Sequence, residues 1–75
     1  MTYNNLKETV QVDSTCIGTA EYDFFAKNLV LTYKNGSSYL YDKVPNFVFE
    51  GLRNDDSKGR FINRHVLGKF SFNRL

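Results

Sequence analysis

The sequence predicts an α+β fold in which a three-stranded antiparallel β-meander is followed by two α-helices that pack on one face of the sheet. Three observations support this class. Strand-like apolar segments fill the first half of the chain, Asn35-Gly36 is a strong hairpin signal, and apolar residues take helical spacing after Pro45. A chain of 75 residues suits one small domain. We expect a flexible N-terminal arm over residues 1–9 and a single domain over residues 10–75.

Each predicted strand has its own local signal. Residues 16–22 predict the first strand, with Ile17 and Tyr22 as its strongest apolar members. Residues 28–33 (NLVLTY) are rich in β-branched and aromatic side chains, which favour a pleated and half-buried surface, and they predict the second strand. After the turn, residues 37–42 return as the third strand.

The register of the second hairpin decides whether Tyr39 and Tyr41 are buried or exposed. If Asn35-Gly36 is a two-residue turn, Leu31 pairs with Leu40. The two tyrosines then point away from the leucines. That arrangement resembles an exposed platform on which bases stack.

A three-residue loop over residues 34–36 gives the other register. Gly36 then adopts a left-handed conformation in a β-bulge, and Leu31 faces Tyr39. We favour this register because a small domain needs a core and because register follows the buried face. It makes the tyrosines mainly structural, since five large side chains share one face: Leu29, Leu31, Tyr33, Tyr39 and Tyr41.

Two helices follow the predicted sheet. Pro45 suits the first turn of a helix, because its missing N–H has no partner there, and residues 47–53 continue at helical spacing. Asp56 or Ser57 can cap a second helix that runs to about Lys69. The apolar residues of this helix fall in one sector, which we expect to face the core, and basic residues occupy the other sides.

Positive charge is concentrated in the C-terminal third of the chain, although the net charge of the whole chain is only +2. Residues 53–75 hold six basic and two acidic side chains, whereas residues 1–52 hold four basic and six acidic ones. Such asymmetry is typical of proteins that bind nucleic acids or acidic proteins. We therefore predict a nucleic-acid site formed by Lys58, Arg60, Arg64, His65, Lys69 and Arg74.

Aromatic residues add candidate stacking and contact surfaces. Phe61 lies between the basic residues of the second helix, and Tyr39 and Tyr41 are the stacking candidates of the sheet. Phe24 and Phe25 occupy a connection, where one ring can pack in the core and the other can mark a protein contact. The alternative interpretation of the cations is a solvated helix face whose long side chains cover apolar surface.

Catalytic and metal sites find little support in the sequence. Cys16 is the only cysteine and His65 the only histidine, and a buried thiol with a surface imidazole is a simpler interpretation than a nucleophile with its base. Helix capping explains Asp55 and Asp56. We therefore predict no enzymatic activity, no metal, no cofactor and no small-molecule substrate. The single cysteine excludes an internal disulfide, and no segment is long and apolar enough to span a membrane, so we expect a cytoplasmic protein.

An ordered series of residues resembles the KTSC domain family. It extends from about residue 10 to residue 70 and includes a central Tyr-x-Tyr motif at Tyr39 and Tyr41. Its members are Ser14, Ile17, Tyr22, Asp23, Leu29, Tyr33, Gly36, Tyr39, Tyr41, Val44, Pro45, Phe49, Leu52, Ser57, Gly59, Phe61, Asn63, Val66 and Phe70. The family is named for the C-terminus of some lysyl-tRNA synthetases and also includes small stand-alone proteins of bacteria and phages. Its activity is unknown, and the synthetase context implies RNA as a ligand.

The sequence supports two functional hypotheses. In the first, the protein is a non-enzymatic module that binds nucleic acid, in particular RNA, through the basic second helix and the C-terminal tail. In the second, it is a protein-interaction module, such as a small phage-encoded factor that binds and modulates a host protein complex. The basic series favours the first hypothesis. Phe24-Phe25 and Leu40, which the favoured register leaves on the outer face, favour the second.

Overall fold

A computed structural model describes residues 6–75 of the chain as one antiparallel sheet covered by two helices. Five strands lie side by side in chain order, so each pairs with the strand that follows it. The elements are β1 (Lys7–Gln11), β2 (Ile17–Asp23), β3 (Asn28–Tyr33), β4 (Ser38–Tyr41), α1 (Asn46–Asn54), α2 (Lys58–His65) and β5 (Phe72–Arg74). The predicted α+β class and its two helices are confirmed. The predicted three-stranded sheet is wrong, because the sheet has five strands.

Both additional strands lie at the edges of the sheet, where the sequence signal is weak. β1 alternates exposed and half-buried residues, and its half-buried members are Glu8 and Val10. Of the predicted arm, residues 1–5 lie outside the described part of the chain and residues 7–9 belong to β1. β5 has three residues, all exposed, which are too few for a periodic pattern. Pairing with β2 and β4 creates these two strands.

The hairpin between β3 and β4 has the register that places the leucines and the tyrosines on one face. Leu31 lies opposite Tyr39, and Leu29 lies opposite Tyr41. Both leucines and Tyr41 are buried, whereas Tyr33 and Tyr39 are half-buried. The favoured register is therefore confirmed.

The loop geometry explains this register. Gly36 has φ +97°, and its N–H donates to the carbonyl of Tyr33 at 2.9 Å. The N–H of Tyr33 donates to the carbonyl of Ser37 at 2.7 Å, which closes the loop. The side-chain oxygen of Asn35 accepts the N–H of Ser37 at 2.9 Å. A left-handed glycine thus adds one residue to the turn and sets the pairing of the two strands.

Both helices pack on the sheet face that carries these leucines, which we call the inner face. The ring of Tyr22 stacks on Phe49 of α1 with centroids 5.0 Å apart, and its hydroxyl lies 3.0 Å from Asn46 Oδ1. Each large side chain that is fully buried contributes about 1.5–3 kcal/mol to stability. The fully buried residues come from both layers: Ala20, Tyr22, Leu29, Leu31, Val44, Phe49, Leu52, Ile62 and Val66.

The second helix is shorter than the sequence predicts. α2 ends at His65 instead of continuing to about Lys69. The N–H of Leu67 donates to the carbonyl of Ile62, five residues earlier, and Gly68 has φ +78°. A glycine in the left-handed region commonly marks the end of a helix, and here the chain turns at this point towards β5.

Replacement of Gly36 by alanine should destabilise the protein by about 1–2 kcal/mol, because positive φ is unfavourable for a residue with a side chain. Beyond its chain neighbours, no atom lies within 4 Å of the added Cβ, so the loss comes from the backbone and not from a clash. Urea unfolding followed by circular dichroism measures this loss. Gly36→Asn should lose less, since Asn tolerates this conformation. Wild-type stability of Gly36→Ala would show that the loop does not require positive φ.

Candidate nucleic-acid interface and aromatic groove

The exposed side of α2 carries two of the predicted nucleic-acid-binding residues, Arg60 and Arg64. On the buried side, Ile62 is inaccessible to solvent and Gly59 packs against Ser14. A Cβ on Gly59 would lie 3.1 Å from the Cβ of Ser14, so this contact favours a residue without a side chain. Anchoring of the helix on this side leaves the two arginines in solvent, one turn apart.

Arg60, Arg64 and Lys69 are exposed, and we call them the free cations. Within residues 6–75, their side chains form no ion pair and no hydrogen bond. Lys58, by contrast, donates from Nζ to the backbone carbonyl of Asp55 at 3.1 Å. The free cations are therefore available to an anionic ligand.

Phe61 packs between the two helices. Its ring lies over Gly51 of α1, where an added Cβ would be 2.8 Å from the ring. The ring of His65 lies against that of Phe61 at a centroid distance of 4.5 Å. Phe61 is thus half-buried by helix packing, whereas His65 is exposed.

An aromatic groove lies on the inner face of the sheet beside β3, β4 and β5, with a volume of about 490 Å³. The rings of Tyr33 and Tyr39 meet edge to face with centroids 5.6 Å apart. The ring centroid of Phe72 lies 5.9 Å from that of Tyr39 and 5.4 Å from that of Tyr41. The walls of the groove are formed by Tyr33, Asn35, Ser37, Tyr39, Tyr41 and Phe72.

Strand β5 places Arg74 at the edge of the aromatic groove. Arg74 lies opposite Tyr39 in the sheet, and its Cζ is 5.8 Å from the centroid of the tyrosine ring. Its Nη2 donates to Ser37 Oγ at 3.2 Å. The fold therefore brings a predicted phosphate-binding residue next to the predicted stacking residues Tyr39 and Tyr41.

Burial affects two of the tyrosine hydroxyls in the groove. Burial raises the pKa of Tyr33 and of Tyr41 above the ordinary value of 10.0. The neighbouring phenols of Tyr33 and Tyr39 raise the pKa of Tyr41 further. Neutral hydroxyls both donate and accept hydrogen bonds, so they can orient a polar ligand without repelling an anion.

Phe24 and Phe25 have different environments, with one ring against the core and the other outside it. Phe24 packs edge-on against Tyr22 and Phe49 at centroid distances of 5.0 and 5.7 Å. Phe25 is 82% exposed. The carboxylate of Asp23 accepts the N–H of Phe25 at 2.9 Å and holds the turn. Phe25 is the ring that faces solvent.

Sequence reasoning missed two features, the place of Phe72 in the aromatic groove and the ion pair of Arg53. Phe72 was not among the predicted site residues, because β5 is too short to predict. Arg53 was counted with the basic C-terminal third, yet it forms two hydrogen bonds to Glu8 at 2.9 and 3.0 Å and lies 5.5 Å from the ring centroid of Phe49. This pair links α1 to β1, and no local pattern indicates a partner so distant in the chain.

Metal-binding and membrane features are absent from the described part of the chain. Residues 6–75 contain no group of three or more metal-ligating side chains. None of the helices in this range has the length and apolar character needed to cross a membrane.

Cys16 is exposed and lies just before β2, which differs from the expected buried position within a strand.

Comparison with known proteins points to one family. The family model of the KTSC domain matches residues 13–70. The fold is similar to the crystal structure of a KTSC domain protein from Yersinia pestis, with a TM-score of 0.80 and 27% sequence identity. That match covers 92% of this chain and 97% of the other.

Relatives of two kinds are similar to the chain in sequence. A protein of Tsukamurella paurometabola is 41% identical over 59 residues, which make up 79% of this chain and 88% of that protein. The lysine–tRNA ligase of Nostoc punctiforme is 36% identical over 63 residues, which make up 84% of this chain and 11% of the ligase. The chain therefore corresponds to one short segment of the ligase.

Removal of the Arg53 side chain by Arg53→Ala should lower the free energy of unfolding by about 1 kcal/mol, because the bidentate link to Glu8 is partly exposed to solvent. Arg60→Ala is the matched control, since this arginine has no side-chain partner among residues 6–75, and its effect should stay within about 0.5 kcal/mol. Chemical denaturation measures both variants. An equal loss for the two arginines would contradict the structural role of Arg53.

Proposed function

The chain belongs to the KTSC domain family, and from this premise we propose that it is a small non-enzymatic module that binds RNA through the cations of α2 and the C-terminal segment. One observation supports the proposal most strongly. The free cations Arg60, Arg64 and Lys69 are exposed and have no side-chain partner within residues 6–75. Arg53, in contrast, is occupied in an ion pair that stabilises the fold. Unpaired cations are suited to phosphate contacts.

The spacing of these cations suits a phosphate backbone. Arg60 and Arg64 are separated by about 6 Å along the axis of α2. Lys58 at the start of the helix and Lys69 beyond its end extend the basic series. Each arginine can hold a phosphate with two parallel hydrogen bonds. With a net charge of only +2, we expect dissociation constants in the micromolar range or weaker.

Relatives of the chain support RNA as the nucleic acid. The lysine–tRNA ligases of Nostoc punctiforme and Trichormus variabilis contain a segment similar to this chain, and these enzymes are named for a reaction on tRNA. An RNA ligand agrees with a cytoplasmic location, which we propose because the one cysteine is free.

A protein-interaction module is the second candidate function, and two exposed rings favour it. Phe25 and Phe47 are 82% and 73% exposed. Their segments are held together, because the N–H of Val44 donates to the carbonyl of Lys27 at 2.9 Å and Lys27 Nζ donates to Asn46 Oδ1 at 3.0 Å. Exposed apolar rings suit a protein partner, such as a host complex modulated by a small phage-encoded factor.

Binding of a short fluorescent oligouridylate should weaken as salt increases. With about four phosphate contacts, log K against log salt concentration should have a slope of about −3 for a single strand. The double substitution Arg60→Ala with Arg64→Ala should reduce the size of this slope by about 1.4, because two contacts are lost. Fluorescence anisotropy over a series of salt concentrations measures both slopes.

Lys43→Ala provides the matched control for this experiment. Lys43 is exposed and lies in the connection before α1, outside the basic series. Its substitution should leave the slope unchanged. The proposal fails if wild-type binding does not depend on salt, or if the control lowers the slope as much as the double substitution does.

Capture of partners from a nuclease-treated bacterial lysate separates the two candidate functions. The RNA proposal predicts that nuclease removes the captured material. A protein partner should instead survive nuclease, persist with Arg60→Ala and Arg64→Ala, and be lost with Phe25→Ser and Phe47→Ser. Because both phenylalanines are exposed, these substitutions should leave the fold intact, which circular dichroism verifies.

A further inference from the structure

We propose that the aromatic groove is a pocket for one unpaired base of single-stranded RNA, with the adjoining phosphate held by Arg74. This inference rests on the proposed RNA-binding function and adds a second site to it, since no residue of α2 lines the groove. The free cations would position the backbone, whereas the groove would contact a base directly.

The walls and the size of the groove fit a planar ring. Its volume of about 490 Å³ lies within the range of about 300–1,000 Å³ that is usual for small-ligand sites. Tyr39 has two aromatic neighbours, and its ring centroid lies 5.6 Å from that of Tyr33 and 5.9 Å from that of Phe72. Phe72 is 56% exposed, so much of its ring is open to a ligand. Aromatic side chains of this kind stack on the faces of unpaired bases.

The charge around the groove favours an anion attached to that ring. None of the described residues that line it is acidic. Arg74 is exposed and lies at its edge, 5.8 Å from the centroid of the Tyr39 ring. An aromatic pocket for a cationic ligand, such as a methylated ammonium group, would suffer repulsion from this guanidinium. A base joined to a phosphate satisfies both the rings and the cation.

Polar groups at the rim can orient the base. The Oδ1 atom of Asn35 accepts the N–H of Ser37, so its amide NH₂ remains as a donor. The hydroxyl of the half-buried Tyr33 is neutral at pH 7, as an ordinary phenol is, and it both donates and accepts hydrogen bonds. Base edges present the complementary acceptors and donors only when the base is unpaired, which favours a single strand over a duplex.

Comparison of two oligomers tests the base pocket directly. One is a short oligouridylate, and the other is an abasic oligomer with the same number of phosphates. Wild-type protein should bind the oligouridylate roughly tenfold more tightly, because base stacking is lost in the abasic strand. Phe72→Ala should remove most of this preference and leave the affinity for the abasic oligomer unchanged. Phe72→Tyr should restore the preference, because it keeps a ring in place.

Phe25→Ala is the matched control, since Phe25 is an exposed ring that does not line the groove. It should retain the preference for the oligouridylate. Equal wild-type affinity for both oligomers, with salt-dependent binding preserved, overturns the base pocket and leaves the proposed RNA-binding function standing. Absence of binding to both oligomers at low salt overturns the two proposals together.

Discussion

One glycine bulge determines which side chains form the core and which form the groove. The positive φ of Gly36 adds a residue to the β3–β4 loop and places Leu31 opposite Tyr39. Since side chains alternate between the two faces of a strand, a shift of one residue would move Tyr39 and Tyr41 to the outer face. The core would lose the buried ring of Tyr41, and the groove would not exist.

The edge strands β1 and β5 add contacts to the core and to the groove that the β3–β4 hairpin sets up. β1 brings Glu8 to Arg53 of α1, so one arginine of the basic C-terminal third is used to hold the fold together. β5 places Phe72 opposite Tyr41 and Arg74 opposite Tyr39, so the groove gains both a wall and a cation from three residues. The small core and the aromatic groove therefore depend on the same sheet. This economy is expected of a short chain, in which few residues can serve packing alone.

Sequence reasoning predicted the elements whose own side chains define them. The apolar pattern of β3, the bulged turn at Gly36 and the start of α1 after Pro45 are local signals, and the structure contains all of them. β1 and β5 are defined by their pairing with β2 and β4, which a single sequence does not display. The same limit applies to the candidate sites. Exposed cations on α2 followed from helical spacing, whereas the meeting of Arg74 with Tyr39 depends on a strand that could not be predicted.

The backbone pairing of β3 with β4 can be measured independently of any ligand. In an antiparallel pair, Cα atoms approach to about 4.5 Å at the positions without hydrogen bonds, and their Hα protons give strong nuclear Overhauser contacts. Because Tyr33 and Ser37 are hydrogen-bonded, the bulged register predicts such a contact between Val30 and Leu40. A contact between the Hα protons of Leu31 and Leu40 would instead require the two-residue turn. That result would move both tyrosines to the outer face and contradict the assignment of core and groove.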